Sequence, residues 1–172
     1  MPPIRIYLSA LLGAVISTFA QMANALPEDR NQPINIQSDS AQLDDGKGVA
    51  TYMGKVKLTQ GSLVIEGDEV RIYRNAQGDV DRAVAVGKLA HFVQVPEQGK
   101  PPVDGKAKQI EYFVAEQRAT LEQSAVVTQG GNAFTGEKID YDIKKQLLNA
   151  AGNASSNTRV NMTLQPSKKN PQ

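Results

Sequence analysis

The sequence predicts an all-β protein: an antiparallel sandwich, jelly roll or barrel of short strands. Three observations predict it. Apolar and polar residues alternate with period two over most of the chain after Pro33, which puts one set of side chains on a buried face and the other in solvent. Clusters of Gly, Asn and Asp interrupt the alternation at short intervals, as turns between strands do. No proline falls between Ile34 and Val95 or between Val103 and Gln165, which suits unbroken ladders, because proline cannot donate to a central one.

Along the chain, Arg5, an apolar run from Ile6 to about Ala20 and Ala23-Asn24-Ala25 have the three parts of a secretory signal. The run is short for a membrane span and ends in small residues at an A-x-A site. The expected boundaries are a cleaved signal over 1–25, one domain over 26–165 and a disordered tail over 166–172. No cysteine follows the apolar run, so no lipid-anchored mature terminus is expected. No stretch holds a helical period for long, and any helix is expected as a turn or two between Ala23 and Asn31.

The strands follow. Ile34 and Ile36 flank Asn35, Val56 and Leu58 flank Lys57, and Val70 and Ile72 flank Arg71. Leu89, His91 and Val93 compete with Ala90 and Phe92 for the inward face of their strand. Ile110, Tyr112 and Val114 then alternate with Glu111 and Phe113, Ile139, Tyr141 and Ile143 with two aspartates, and Val160, Met162 and Leu164 with Asn161 and Thr163. Turn signals stand at Asp44-Asp45-Gly46, Gln60-Gly61, Glu66-Gly67-Asp68, Asn75 to Asp79, Gln129 to Asn132 and Gly136-Glu137. The prolines of Pro96 to Pro102 mark a loop that divides the sheet. At ordinary strand lengths this chain accommodates about 14 to 16 strands.

The chain also repeats itself. Thr59-Gln60-Gly61 and Gly67 recur sixty-nine residues later as Thr128-Gln129-Gly130 and Gly136, and Ala50-Thr51 as Ala119-Thr120. A weaker echo carries Ala50 and Gly54-Lys55 to Ala83 and Gly87-Lys88, with Gly152 a further candidate. A strand–turn–strand unit cannot bury its apolar face alone, whereas stacked units share one core.

Composition excludes several function classes. Removing the 25 signal residues from 172 leaves 147, a length for one domain, and removing Arg5 leaves 18 basic against 18 acidic residues. Such neutrality gives no general attraction to nucleic acid or anionic membrane. With no cysteine, the domain relies on its core and hydrogen bonds. No second apolar run is long enough for a helix to cross a bilayer, so the mature chain is expected to be soluble outside the cytoplasm.

Catalytic apparatus is sparse. His91 is the one histidine, and no G-x-S-x-G elbow or G-x-x-x-x-G-K-[ST] loop is present, so the familiar nucleophile and nucleotide sites are missing. Asp44-Asp45 and the pair Asp140 and Asp142 read as turn and strand-face residues. No catalytic residue, metal or cofactor is expected. The apolar face remains: as a pattern it reads as a packed core, and it becomes a groove only where two sheets splay.

Read as a whole, Gln32 to Arg74 resembles the OstA-like family of periplasmic lipopolysaccharide-transport proteins. The resemblance is carried by Gln32-Pro33-Ile34, Ser38-Asp39, Thr51-Tyr52-Met53-Gly54-Lys55-Val56 and Leu58-Thr59-Gln60-Gly61. Gly87-Lys88, Gly99-Lys100-Pro101 and Gly136 to Tyr141 extend it into the second half. It implies a twisted, open antiparallel β-jelly roll, a V-shaped two-sheet sandwich, whose interior shields the acyl chains of lipid A between the two membranes. It places lipid contact on Ile34, Phe92, Tyr112 and Val114, and Ile36, which alternates with Ile34 around Asn35, is expected to join them; Val114 is smaller than the leucine expected there.

The segments Asn31 to Ser38 and Val160 to Gln165 carry no charge, whereas exposed sheet edges are normally guarded by Lys or Pro. Asn35 and Gln37 on one edge, and Val160, Asn161, Met162 and Leu164 on the other, are therefore expected to pair with other chains head to tail. The resemblance names those chains: LptC at the inner membrane for the N-terminal edge, LptD at the outer membrane for the C-terminal edge, and further copies of this chain. The alternatives are an assembly module with a dry core and, less supported by the residues, an envelope carbohydrate-active enzyme.

Overall fold

The computed structural model describes residues 29–155 and 157–166. The expected signal over 1–25 and the tail beyond Pro166 lie outside the described residues. One 3-10 turn, Asp29–Asn31, precedes ten strands: β1 Asn35–Gln37, β2 Ser40–Asp44, β3 Val49–Gln60, β4 Leu63–Arg74, β5 Val80–Gln94, β6 Val103–Phe113, β7 Arg118–Gln129, β8 Asn132–Asp142, β9 Leu147–Ala151 and β10 Asn161–Thr163. All pair antiparallel in one sheet. β3 to β8 follow in chain order, β1 and β2 both lie on β3, and β9 and β10 both lie on β8.

The six long strands are bent in the middle. Register shifts fall between Met53 and Val56, Glu66 and Glu69, Val86 and Ala90, Lys106 and Gln109, and Glu122 and Ala125. Bulges of this kind bend a strand and increase its twist. Aligned across the sheet, they fold it into two half-sheets whose inner faces share one core. Each long strand thus contributes a segment to both halves, which is how ten strands do the work of the larger number of short strands expected.

Two turn signals are corrected by this geometry. Glu66-Gly67-Asp68 and Gly136-Glu137 lie inside β4 and β8 and are not loops. A Cβ on Gly67 would stand 2.9 Å from the carbonyl oxygen of Val86, so glycine here permits close approach of two backbones at the bend. The remaining signals join strands as expected. The proline loop joins β5 to β6, and their ladder continues the sheet across it where the sequence suggested a division.

Directly paired residues of antiparallel strands share a face, and the registers resolve the core into rows. One runs Ile36–Leu58–Ile65–Phe92–Gly105–Val127–Phe134–Met162 from edge to edge. In the other half-sheet, Leu43–Ala50–Ile72–Ala83–Tyr112–Ala119–Tyr141–Leu148 and Ala41–Tyr52–Val70–Ala85–Ile110–Leu121–Ile139–Ala150 do the same. Apart from Gly105 every member is apolar or aromatic. Most middle members are buried, whereas on the outermost strands Ile36, Leu148 and Ala150 are partly buried and Ala41, Leu43 and Met162 are exposed.

Candidate functional site

The interior between the half-sheets gathers the five residues expected to touch a ligand. Strand parity settles the competition around Phe92: Ala90, Phe92 and Gln94 are buried, while His91 and Val93 lie half-buried on the other face. Phe92 is 1% exposed and Tyr112 5% exposed. Although they belong to different half-sheets, their ring centroids lie 6.1 Å apart with planes tilted by 32°, within the usual range for aromatic pairs. Ile34, Ile36 and Val114 pack against the same core and are partly buried, so they form its rim. Gly105 stands opposite Phe92; a Cβ there would lie 2.7 Å from Leu121 Cδ2 and 3.5 Å from the Phe92 ring. Glycine makes room for both side chains.

One end of this interior carries a polar cluster that sequence reasoning missed. Ser62 N donates to Asp29 Oδ1 at 2.8 Å, Ser62 Oγ to Asp29 Oδ2 at 2.5 Å, and Gln94 Nε2 to the same Oδ2 at 3.0 Å. Ser62 Oγ accepts from Val95 N at 3.1 Å, and Gln60 Nε2 donates to Gln32 O at 3.0 Å. The segment preceding β1 is thereby seated against the β3–β4 turn and the end of β5. Gln94 has the same parity as Ala90 and Phe92, and Gln60 that of Val56 and Leu58, the signals in the sequence that polar groups face inward here. Tyr112 borders this cluster. Burial pushes its phenol up to about 12, with the hydrogen bond from Gln94 opposing and the Asp29 charge adding to the rise. Burial likewise raises the Tyr141 phenol, helped by Asp142.

On the outer face, His91 lies between two carboxylates, with Nδ1 3.2 Å from Glu66 Oε2 and Nε2 2.9 Å from Asp104 Oδ2. The His91 hydrogen bond, assisted by Lys57 against a smaller burial penalty, lowers the Glu66 carboxyl below its ordinary value. The other carboxylates singled out are held by neighbours. Asp44 pairs with Lys47 at 3.0 Å, Asp45 with Arg74 at 2.5 Å, Asp142 with Lys145 at 2.8 Å, and Asp140 accepts from Thr120 Oγ1 at 2.7 Å. Among the described residues, no three His, Asp or Glu side chains stand together as metal ligands, and no helix is long and apolar enough to cross a membrane.

Both lateral edges of the sheet are open. Asn35 and Gln37 are exposed on β1, and β10 is exposed throughout. Val160, Met162 and Leu164 are 44%, 58% and 61% exposed, although Met162 shares the inner row of Phe134. The arrangement therefore offers an apolar interior continuous between two edges that retain backbone hydrogen-bonding capacity.

Comparison with known proteins bears on this geometry. The family model described as "LptA/(LptD N-terminal domain) LPS transport protein" matches residues 35–147. The chain is 41% identical over 167 residues to the lipopolysaccharide export system protein LptH of Pseudomonas aeruginosa, covering 94% of this chain and 95% of the relative. It is 40% identical to the lipopolysaccharide export system protein LptA of Haemophilus influenzae, covering 94% and 91%, and 36% identical to that of Escherichia coli K12, covering 92% and 82%. The crystal structure of LptH, described as the LptA-homologous periplasmic component of the lipopolysaccharide transport device of Pseudomonas aeruginosa, superposes with a TM-score of 0.75 at 40% identity. That match covers 81% of this chain and 100% of the other.

Proposed function

Because the chain belongs to the LptA/(LptD N-terminal domain) family of LPS transport proteins, we propose that it is a non-enzymatic carrier. In this reading it shields the acyl chains of lipopolysaccharide in its interior as the molecule passes through the periplasm from inner to outer membrane. The observation that carries the reading is the set of three apolar rows reaching from one open edge to the other. Each methylene kept from water is worth roughly 0.8 kcal/mol, so a long apolar track with few polar contacts suits a many-chained lipid.

Ile34, Ile36 and Val114 at the rim meet the chains first, and Phe92 and Tyr112 meet them as the half-sheets part. The first 25 residues direct export. LptC docks on the edge of Asn35 and Gln37, LptD on that of Val160, Asn161, Met162 and Leu164, and copies join head to tail between them. The chain guides the lipid without driving it, and energy comes from a partner.

A second reading, an assembly module with a dry core, draws on the near-complete burial of Phe92 and Ile110. A photoreactive residue at Tyr112, compared with one at the outward neighbour Glu111, separates the two. Lipopolysaccharide adducts at Tyr112 alone support the carrier, and adducts at neither position leave the module.

A further inference from the structure

The charges of residues 26–172 balance, but they are not spread evenly over the surface. Four lysines, Lys55 on β3, Lys88 on β5 and Lys106 and Lys108 on β6, stand exposed on the outer face along the line of bends. Lys55, Lys88 and Lys108 fall inside the register shifts of their strands, and Lys106 is the direct ladder partner of His91. Leu89, 59% exposed, lies in the same shift as Lys88. Lys55, Lys88 and Leu89 line one open cleft of about 410 Å³.

The neighbouring carboxylates do not neutralise these cations. Glu66 is taken by Lys57 and His91, Asp104 by His91, Glu69 by Arg71 and Glu122 by Lys138, and Asp68 accepts from the Lys88 backbone N at 3.2 Å. Among the described residues, no carboxylate forms an ion pair with the side chains of Lys55, Lys88, Lys106 or Lys108.

The repeat shows that the bend itself does not require them. Sixty-nine residues on, Lys55, Lys88 and Leu89 become Ser124, Asn157 and Thr158. The backbone turns in the same way at both places: φ is 84° and 45° at Gly54 and Lys55, and 65° and 61° at Gln123 and Ser124. A cleft of about 280 Å³ lined by Ser124 and Thr158 matches the first. One bend is thus built with neutral side chains and the other with cations and a leucine, so the second set answers to something outside the fold.

We propose that this seam docks the chain on the headgroups of a bilayer containing anionic phospholipid. From β3 to β6 is three strand spacings, about 14 Å, too wide for one phosphate and suited to a surface carrying many. The inner faces close on the core, so the outer face along the bends is convex and can meet a flat surface. The lysines reach the headgroup phosphates, and Leu89 among them enters the headgroup–acyl boundary, as apolar residues of interfacial segments do. An acidic protein segment would use the lysines and leave Leu89 in water. The lysines follow the same edge-to-edge direction as the apolar rows, so a docked copy lies with its interior parallel to the bilayer. This surface is separate from the interior and from both edges, and the inference does not depend on the carrier reading.

The exported protein is sedimented with vesicles of phosphatidylcholine alone and of phosphatidylcholine with phosphatidylglycerol, neither containing lipopolysaccharide, at low and high salt. Binding is expected only to the phosphatidylglycerol vesicles and weakens as salt rises. A lysine near an anionic bilayer is worth about fivefold in affinity, so Lys88→Gln and Lys106→Gln should each lose about that factor. Leu89→Ser should weaken binding without changing its salt dependence. Lys145→Gln, at a lysine already paired with Asp142, should leave it unchanged, and thermal midpoints show that each variant is folded. Equal binding to both vesicles, no binding at low salt, or an affinity unmoved by the two lysine variants overturns the proposal. No binding to either vesicle, with capture of soluble poly-glutamate through the same lysines, overturns it in favour of an acidic protein partner.

Discussion

Phe92 and Tyr112, one from each half-sheet, face each other across the interior with ring centroids 6.1 Å apart, at the place where the two inner faces close on one another. The pair holds the half-sheets together, and on the carrier reading it is also where they must part.

Removing the Phe92 ring, 1% exposed, leaves a cavity among buried side chains. Phe92→Ala should destabilise the domain by about 3–5 kcal/mol, read as a lowered urea midpoint with an unchanged slope. A loss below about 1 kcal/mol would mean that the half-sheets do not depend on this contact.

Gly105 tests the same packing from the opposite side. A methyl group there enters the space of Leu121 and Phe92, so Gly105→Ala should cost about 1–3 kcal/mol by overpacking, and Gly105→Val more. A neutral Gly105→Val would contradict the close approach.

Tyr112 sets an alkaline limit. Its phenol is raised to about 12 in the folded chain from an ordinary value of 10.0. The unfolded chain therefore loses its proton first, and stability present below pH 10 declines as pH rises toward 12. Tyr112→Phe should flatten that decline, measured as urea midpoints across the interval. The slope that remains belongs in part to Tyr141, raised in the same direction.

Glu66 sets an acid counterpart. Its carboxyl lies below the ordinary 4.5, held there chiefly by the His91 hydrogen bond. Stability from this group is present above pH 4.5 and is lost as pH falls through the lowered folded value. Glu66→Gln should reduce the acid-side slope, whereas a slope unchanged by the substitution would show that the bond to His91 contributes nothing to folding.

Proline at an edge removes a ladder donor without entering the core. Asn35→Pro and Asn161→Pro should each abolish concentration-dependent association in sedimentation while leaving the thermal midpoint little changed. Association that persists in both would refute pairing through these edges.

Much of the fold was legible because strand alternation and turn chemistry are local. The parity of Ile34, Tyr112 and Ile139 and the turns at Gln60-Gly61 and Asn75 to Asp79 could be read residue by residue. The mid-strand bends were not. Gly54 and Lys55 adopt positive φ at one bend, but Gln123 and Ser124 do the same at its repeat counterpart without glycine, so composition gives no warning there. Gly67 looked like a turn because the backbone approach it permits comes from β5, remote in sequence. For the same reason the cluster of Asp29, Ser62 and Gln94 stayed hidden: it joins three segments that only the folded sheet brings together.

A continuous apolar track can be followed residue by residue with a crosslinking scan along one row. Photoreactive residues are placed singly at Ile36, Leu58, Ile65, Phe92, Val127, Phe134 and Met162, and at the outward neighbours Lys57, Glu66, His91 and Val126, in cells exporting lipopolysaccharide. Lipopolysaccharide adducts are expected at every position of the row and at none of the outward neighbours. Adducts confined to the two edges, or spread equally over both faces, would contradict it.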